Sequence, residues 1–417
     1  MTFEFFLPHS GTCKNIHLNI TDKQQNKIYR FRTSLQILEK DWDTIKQRPT
    51  NIYLKKYKKL NAKLDGLKKE VAEYIRVKRS DKSQVKQREI AKTIKWICSS
   101  NKVSKEHVNY PENSFLYYMQ WYISIKKGLI CNSTIKRYKV FFHLLERFEG
   151  FLCKKLYLED INIDFIKNFM FFGREEEYSD NTIVRTIHFV KTILNFAERK
   201  GVRTHVRELE IRREKQHCEL ATLSEKEIME IKSTEVSGEM QYAKDWLLIS
   251  CYTGQRFSDF MRFSKKQLIK INNKVCISFT QKKTHKKILL PLHPAVMNTL
   301  KRYDGNFPPT LDMQQYNNSI KEIAKQAQLR DLIKAKKRIG HRMKCYDMEK
   351  WEVLSSHIGR RSFATNFYGK IPTPLLMDAT GHSTEQMFLR YINPLDENRI
   401  LSLSSYFDRV YKDRMVV

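Results

Sequence analysis

The segment SSHIGRRSFATNFY, Ser355 to Tyr368, places bases where a helix favours acids. Phe363, Ala364 and Phe367 recur at helical spacing and predict a helix with one buried face. His357, Arg360 and Arg361 then crowd its first turn, where aligned peptide dipoles already present positive partial charge. Bases suit that end when an anion sits in front of the helix, and His357 and Arg360, three apart, share a face. Other polar groups nearby also resist a packing explanation. In CYTGQRFSDF, Gly254 ends an apolar helix and Arg256 occupies the turn beyond it. In TQKKTHKKILLPL, two strands flank a basic turn carrying Lys282, Lys283, Lys286 and Lys287. In TGHSTEQMFLRYINP, Gly381 ends a helix, His382 follows it, and Ser383 with Gln386 has capping-box spacing. Tyr391 falls near the end of that element, and Pro394 stops it. Taken singly these are a surface cation, a solvated turn and a packing tyrosine; their order within one domain gives them weight.

The bulk charge agrees with an anionic partner. The 417 residues hold 77 Lys and Arg against 46 Asp and Glu, a net charge of +31, with a pI near 9.7. An excess of that size points to a polyanion, most simply nucleic acid. The eight cysteines are scattered singly without zinc spacing, as expected of reduced thiols in a cytoplasmic protein. MTFEFFLPHSG has no basic region followed by a long apolar run, so no signal peptide is expected. No stretch has transmembrane length.

The remaining elements must position that set. Residues 3–35 alternate with period two and predict a small antiparallel sheet. A basic helix follows, with Tyr53, Tyr57, Leu60, Leu64, Leu67, Val71 and Tyr74 as its apolar stripe. Residues 82–108 turn polar and read as a connector with some helical character. Four apolar-periodic segments then predict a compact helical domain over 110–202, with Ser133 as an N-cap and Gly201 at a helix end. VRTHVRELEIRREKQHCEL reads as a linker. Ser224 and Glu227 form a capping box that opens the last domain. That domain is expected to be mostly helical with one β-patterned region.

Arg, Lys, His-x-x-Arg, Gly-His and Tyr in that order resemble the catalytic pattern of the tyrosine recombinases, the phage integrase family. TGQRFSD resembles the family's first arginine box, HIGRRSFAT its second and GHSTEQMFLRY its third. The whole architecture is similar to that of conjugative-transposon integrases. The resemblance implies a mainly α multidomain fold. It would comprise an arm-type DNA-binding module of small β-sheet plus helix (1–80), a linker (81–109), a four-helix SAM-like core-binding domain (110–202), a second linker (203–218) and a mixed α+β catalytic domain with a small antiparallel sheet (219–417). Aligned back from its Pro-Leu, KKTHKKILLPL puts the family's β-turn lysine at Lys283, with Lys282 adjacent and still open. Arg361 stands where many relatives carry histidine.

The resemblance implies a DNA recombinase in which Tyr391 attacks a phosphodiester, leaving a 3′-phosphotyrosyl link and a free 5′-hydroxyl. A covalent ester stores the bond, so resealing needs no external energy. Arg256 and Arg360 would grip the non-bridging oxygens, since guanidinium binds phosphate bidentately and stays charged. They would supply the electrostatic stabilisation that magnesium gives in many phosphoryl transfers, so no cofactor is expected. His357 would accept or orient the tyrosine proton. Lys283 would protonate the leaving oxygen, and His382 would hydrogen-bond a phosphate oxygen. The implied partner is double-stranded DNA at core and arm sites, bound by a homotetramer, with DNA-bending accessory proteins as further partners and no membrane. The tail LSLSSYFDRVYKDRMVV keeps Leu401, Leu403, Tyr406, Phe407 and Val410 at helical spacing, which suggests packing on a neighbouring protomer or on its own domain. A type IB topoisomerase-like enzyme and a non-catalytic DNA-binding protein on the same fold are the competing readings.

Overall fold

The computed structural model describes residues 1–8, 13–22, 27–51, 54–99, 110–210, 220–339, 342–392, 404, 405 and 408. The chain divides into two compact units, Met1–Lys215 with Arg338–Lys344, and Gln216–Lys337 with Cys345–Val417.

In the first unit, β1 (Thr2–Phe6), β2 (Cys13–Asp22) and β3 (Lys27–Leu38) form an antiparallel sheet in that order. The alternation works as expected: Ile16, Leu18 and Ile20 are fully buried, while Asn15, His17 and Asn19 between them face partly outward. Two-residue strands β4 (Trp42–Asp43) and β5 (Arg48–Pro49) pair beyond it. Helix α1 (Lys55–Ser80) buries Tyr57, Leu60, Leu64, Leu67, Val71 and Ile75 in the same core as the sheet. Tyr53 of the expected stripe lies outside the described residues; Tyr74 packs half-buried against the core, and Ile75 adds a fully buried position. The presumed connector needs correction. It contains α2 (Gln87–Ser99), whose Ile90, Ile94, Ile97 and Cys98 join the sheet–α1 core. Its polar residues cover one face only, so a polar average concealed an amphipathic helix.

Helices α3 (Phe115–Lys126), α4 (Asn132–Leu152), α5 (Ile163–Glu175) and α6 (Asp180–Glu198) make the expected four-helix domain. Its core is aromatic, with Phe148 edge-on to Phe165 and Phe169. Cys131, not Ser133, occupies the N-cap of α4; its sulfur lies 3.2 Å from the Ser133 hydroxyl. Gly201 adopts φ +84° past the end of α6. Helices α1 and α4 meet tightly: a β-carbon on Gly150 would lie 2.6 Å from Asp65 Cβ. The mostly buried Lys69–Glu149 pair (3.0 Å) spans the same contact.

In the second unit, the Ser224–Glu227 capping box opens α7 (Glu225–Ser233). Helix α8 (Glu239–Thr253) is buried continuously from Ala243 to Thr253, the pattern of a central helix covered on every side. The short α9 (Phe257–Phe260) follows. Strands β6 (Leu268–Ile271), β7 (Lys274–Thr280) and β8 (Lys287–Pro291) form an antiparallel sheet. Helices α10 (Pro294–Lys301) and α11 (Met313–Gln326) precede a second, unexpected two-stranded sheet of β9 (Leu332–Ile339) and β10 (Arg342–Glu349), of which Arg338–Lys344 are counted with the first unit. Helices α12 (Ile358–Phe367), α13 (Thr373–Thr380) and α14 (Glu385–Leu389) complete the unit. Thr384 rather than Ser383 caps α14, accepting from the Met387 N–H. Leu401, Leu403, Tyr406, Phe407 and Val410 of the tail lie outside the described residues, as do residues 211–218 of the second linker. No helix among the described residues is long and apolar enough to cross a membrane.

Candidate active site

The site forms where α8, α12, α13 and the β7–β8 turn converge. Helix α8 ends at Gly254 with φ +66°, and Phe363 of α12 packs where a side chain would otherwise stand (2.5 Å). The turn releases Arg256 into an extended conformation at the head of α9. Its Nη1 donates to Gln281 Oε1 (3.0 Å) and lies 3.9 Å from Asp259 Oδ2. Helix α12 crosses α8 so closely that a β-carbon on Gly359 would meet Ser250 Oγ at 1.9 Å. That approach buries the adjacent Arg360 completely.

Arg360 Nη1 donates to the Gly254 carbonyl (2.9 Å), and Nη2 to the Thr380 carbonyl (2.8 Å). Nη2 also lies 2.9 Å from His382 Nε2. Its Nε has no hydrogen-bond partner among the described residues. Burial first, then the charge of Arg256, pulls its pKa down to about 10. Two neutral carbonyls orient this cation without neutralising it, so an uncompensated positive charge is held inside the protein.

Helix α13 ends at Gly381 with φ +72°, in contact with the Gln281 amide, and presents His382. His382 Nδ1 lies 2.8 Å from Thr380 Oγ1, which donates its own proton to the Leu376 carbonyl (2.6 Å). The histidine proton therefore sits on Nδ1, and Nε2 accepts from Arg360, because arginine only donates. Burial, then the charges of Arg360, Arg256 and Lys286, lowers the His382 pKa to about 3, so the ring is neutral. In this arrangement both ring nitrogens are occupied. The expected hydrogen bond from His382 to a phosphate has no free proton behind it, and the ring instead positions Arg360.

Tyr391 lies two residues beyond α14, its N–H donating to the Phe388 carbonyl (2.9 Å). The Arg360 guanidinium stands 5.3 Å from its ring centroid, and the His382 ring lies 4.9 Å away, tilted 48°. The ring also packs against the small core of Phe363, Leu376 and Phe388.

His357 is the N-cap residue of α12 and is exposed on its outer side. The protein packed behind it, then the charges of Arg361, Arg360, Arg256 and Lys283, lowers its pKa. Arg361 is half-buried; burial lowers its pKa while Tyr391 acts in the opposite sense. Lys282 and Lys283 lie exposed in the β7–β8 turn, which Gln281 N–H closes onto the Lys286 carbonyl (2.9 Å). Neither ammonium makes a hydrogen bond or ion pair among the described residues. The structure thus brings Arg256, Arg360, His382 and Tyr391 together and leaves Lys283 at the rim.

Three buried polar residues escaped sequence reasoning. Gln281 accepts from Arg256 and from Thr284 Oγ1 (2.6 Å), and donates to Gln255 Oε1 (3.2 Å) and the Thr380 carbonyl (3.0 Å). Thr380 holds the His382 tautomer. Asp259 accepts from the Lys282 N–H (2.8 Å) and pairs with Arg262 (3.3 Å). Only Asp259 had a legible signal, an acid three residues after Arg256 on a short helix. No group of three or more His, Cys, Asp or Glu among the described residues is placed to hold a metal ion.

Residues 221–398 match the sequence model of the phage integrase family, and residues 114–206 match that of the phage integrase SAM-like domain. Among solved structures, the Tn1549 transposon integrase in complex with a circular intermediate DNA is 14% identical, with a TM-score of 0.53, over 71% of this chain and 99% of that one. A lambda integrase dimer bound to a COC′ core site is 14% identical, with a TM-score of 0.48, over 93% of this chain and 94% of that one. Comparison with curated protein sequences gives no match.

Proposed function

The chain belongs to the phage integrase family, the tyrosine-type site-specific recombinases, and on that premise we propose that it cuts and rejoins duplex DNA through a 3′-phosphotyrosyl ester on Tyr391, without metal or ATP. The observation that carries the reading is the Tyr391 ring lying against Arg360 and His382, two groups on which the Arg256 charge also acts. Tyr391 Oη attacks phosphorus, the P–O5′ bond breaks, and the tyrosine proton passes to His357. The departing 5′ oxygen takes a proton from Lys283, or from Lys282 if the register is one residue off. Arg256 and the unpartnered Nε–H of Arg360 stabilise the charge gathering on the non-bridging oxygens. His382 acts through Arg360, holding the guanidinium in place. Reversal by a 5′-hydroxyl of a partner strand completes the exchange.

The partner is double-stranded DNA, gripped chiefly through phosphates and therefore with steep salt dependence. We place core-site binding in the four-helix and catalytic domains and arm-site binding in the N-terminal module. A homotetramer and DNA-bending accessory proteins complete the working assembly. A suicide substrate nicked beside the cleavage site tests the reading: wild type should become covalently attached to DNA, and Tyr391→Phe should not. Absence of any adduct on the cognate site would leave a DNA-binding protein. Relaxation of supercoils without strand exchange would leave a topoisomerase.

A further inference from the structure

The phosphate contact expected on the His382 side of the site lacks its donor, because Nδ1 is turned to Thr380 and Nε2 to Arg360. The strand register supplies another. Ile277 pairs with Leu290 and Phe279 with Ile288, and all four are buried on one face of the sheet. The bond from Gln281 N–H to the Lys286 carbonyl (2.9 Å) carries that pairing one step further. Residues directly opposite across an antiparallel pair point to the same side. Lys286 therefore continues the inward row of Ile288 and Leu290, beside the fully buried Gln281. Burial follows the alternation: Lys286 is partly buried, while Lys283, His285 and Lys287 are exposed.

That face meets the site. Strand β8 packs on α13, and a β-carbon on Gly381 at the end of α13 would lie 2.6 Å from Gln281 Oε1. His382 follows that glycine. The charges of the basic turn divide accordingly. Lys286 acts on His382, after Arg360 and Arg256, whereas Lys283 acts on His357. Lys286 makes no hydrogen bond or ion pair among the described residues. Asp259, the carboxylate of the site, is taken by Arg262 (3.3 Å) and the Lys282 N–H (2.8 Å). An ammonium turned inward towards two guanidinium groups is repelled by both, and an anion entering among them relieves the repulsion. The lysine stem can cover the end of the apolar row, but that role needs no charge.

We propose that Lys286 is a further catalytic residue of strand cleavage, its ammonium donating to the non-bridging phosphate oxygen on the His382 side, where the histidine has no proton to give. The ammonium keeps its proton throughout, so protonation of the leaving oxygen stays with Lys283 or Lys282. The role rests on the recombinase reading. It differs from gripping the duplex, because that oxygen gains its extra charge only as the transition state forms. The test is single-turnover covalent trapping on a nicked duplex at saturating protein, where affinity does not enter the rate. Lys286→Met keeps the stem and removes the charge; Lys286→Gln is a second neutral variant, and unchanged melting temperatures show them folded. Trapping by either should be about a hundredfold slower, as for loss of one preorganised donor, and Lys286→Arg should restore part of the rate. Two phosphorothioate isomers, each with sulfur in place of one non-bridging oxygen, locate the contact. On one isomer the Lys286→Met penalty should shrink below about tenfold, because sulfur already weakens the same hydrogen bond in wild type; on the other it should persist. A folded Lys286→Met variant trapping at the wild-type rate would overturn the proposal. Equal penalties on the phosphate and both isomers would do so too, marking a structural effect. Rescue by a 5′-bridging phosphorothiolate would make Lys286 the leaving-group acid and overturn the assigned contact. If wild type itself forms no adduct on its cognate site, the recombinase reading falls and takes this assignment with it; a normal variant of an active wild type strikes the assignment alone.

Discussion

Replacing Gln281 by Leu should disable the site without touching DNA. Gln281 is fully buried, and its amide makes four hydrogen bonds, to Gln255, Arg256, Thr284 and the Thr380 carbonyl. Leucine keeps the volume and removes all four. The bond from the charged Arg256 is worth about 1.5–3 kcal/mol, and Gln255 Oε1, left buried without its donor, costs about 1–3 kcal/mol. Thr284 is exposed and recovers its bond from water, while the Thr380 carbonyl keeps Arg360. The sum is a loss of roughly 2.5–6 kcal/mol. Arg256 would then turn to Asp259 Oδ2, 3.9 Å away and without a hydrogen-bond partner among the described residues. That move withdraws the guanidinium from the phosphate position by about an ångström, which costs on the order of a hundredfold in rate. Thermal unfolding of the full chain reads the first effect. The rate of covalent trapping on a nicked duplex reads the second, with duplex affinity staying within about twofold. Wild-type trapping together with stability within about 1 kcal/mol of wild type would show that Arg256 is aimed by something else.

Other expectations concern separate groups. His382, with its pKa lowered to about 3 against 6.5 when unfolded, stabilises the fold fully above pH 6.5 and progressively less as pH falls. Between pH 7 and pH 5, wild type should lose about 2 kcal/mol more than His382→Asn, and parallel pH curves would contradict the burial of a neutral ring. His357 is also lowered, so the acid limb of the sub-saturating trapping rate should have its midpoint below pH 6.5; a midpoint at or above that value would remove His357 as the base. Lys283→Ala should slow cleavage and recover on a 5′-bridging phosphorothiolate, whose leaving group needs no proton. The same recovery in Lys282→Ala instead would shift the register by one. Gly150→Val should force α1 from α4, costing about 1–3 kcal/mol and speeding proteolysis between the N-terminal module and the helical domain; unchanged cleavage kinetics would count against a rigid contact there.

Several candidate site residues stood out in the sequence because they sit beside a local signal. Arg256 follows a helix-ending glycine, His382 follows another, and His357 with Arg360 opens a helix against its dipole. Period-two and period-3.6 patterns likewise exposed the N-terminal sheet and the four-helix domain. Helix α2 was read only as a connector with some helical character because lysines on its outer face raised the average polarity of a segment whose Ile90, Ile94 and Ile97 are buried. The β9–β10 strands were missed because their alternation is short and weak, with Ile333 and Ala335 beside lysines in one strand and Met343 and Cys345 beside bases in the other.

Local order along the chain therefore determined the residue types of the site, their succession and the helices and turns that carry them. Only the tertiary structure decided which groups meet. Gln281 joins Arg256 through a contact spanning 25 positions, and Arg360 reaches Gly254 across 106. Such partners leave no periodic trace, since hydrogen bonds between distant segments depend on how helices cross. The close approach of Gly359 to Ser250 sets that crossing. It buries Arg360, turns a surface cation into a fixed positive charge, and so helps keep the buried His382 ring neutral.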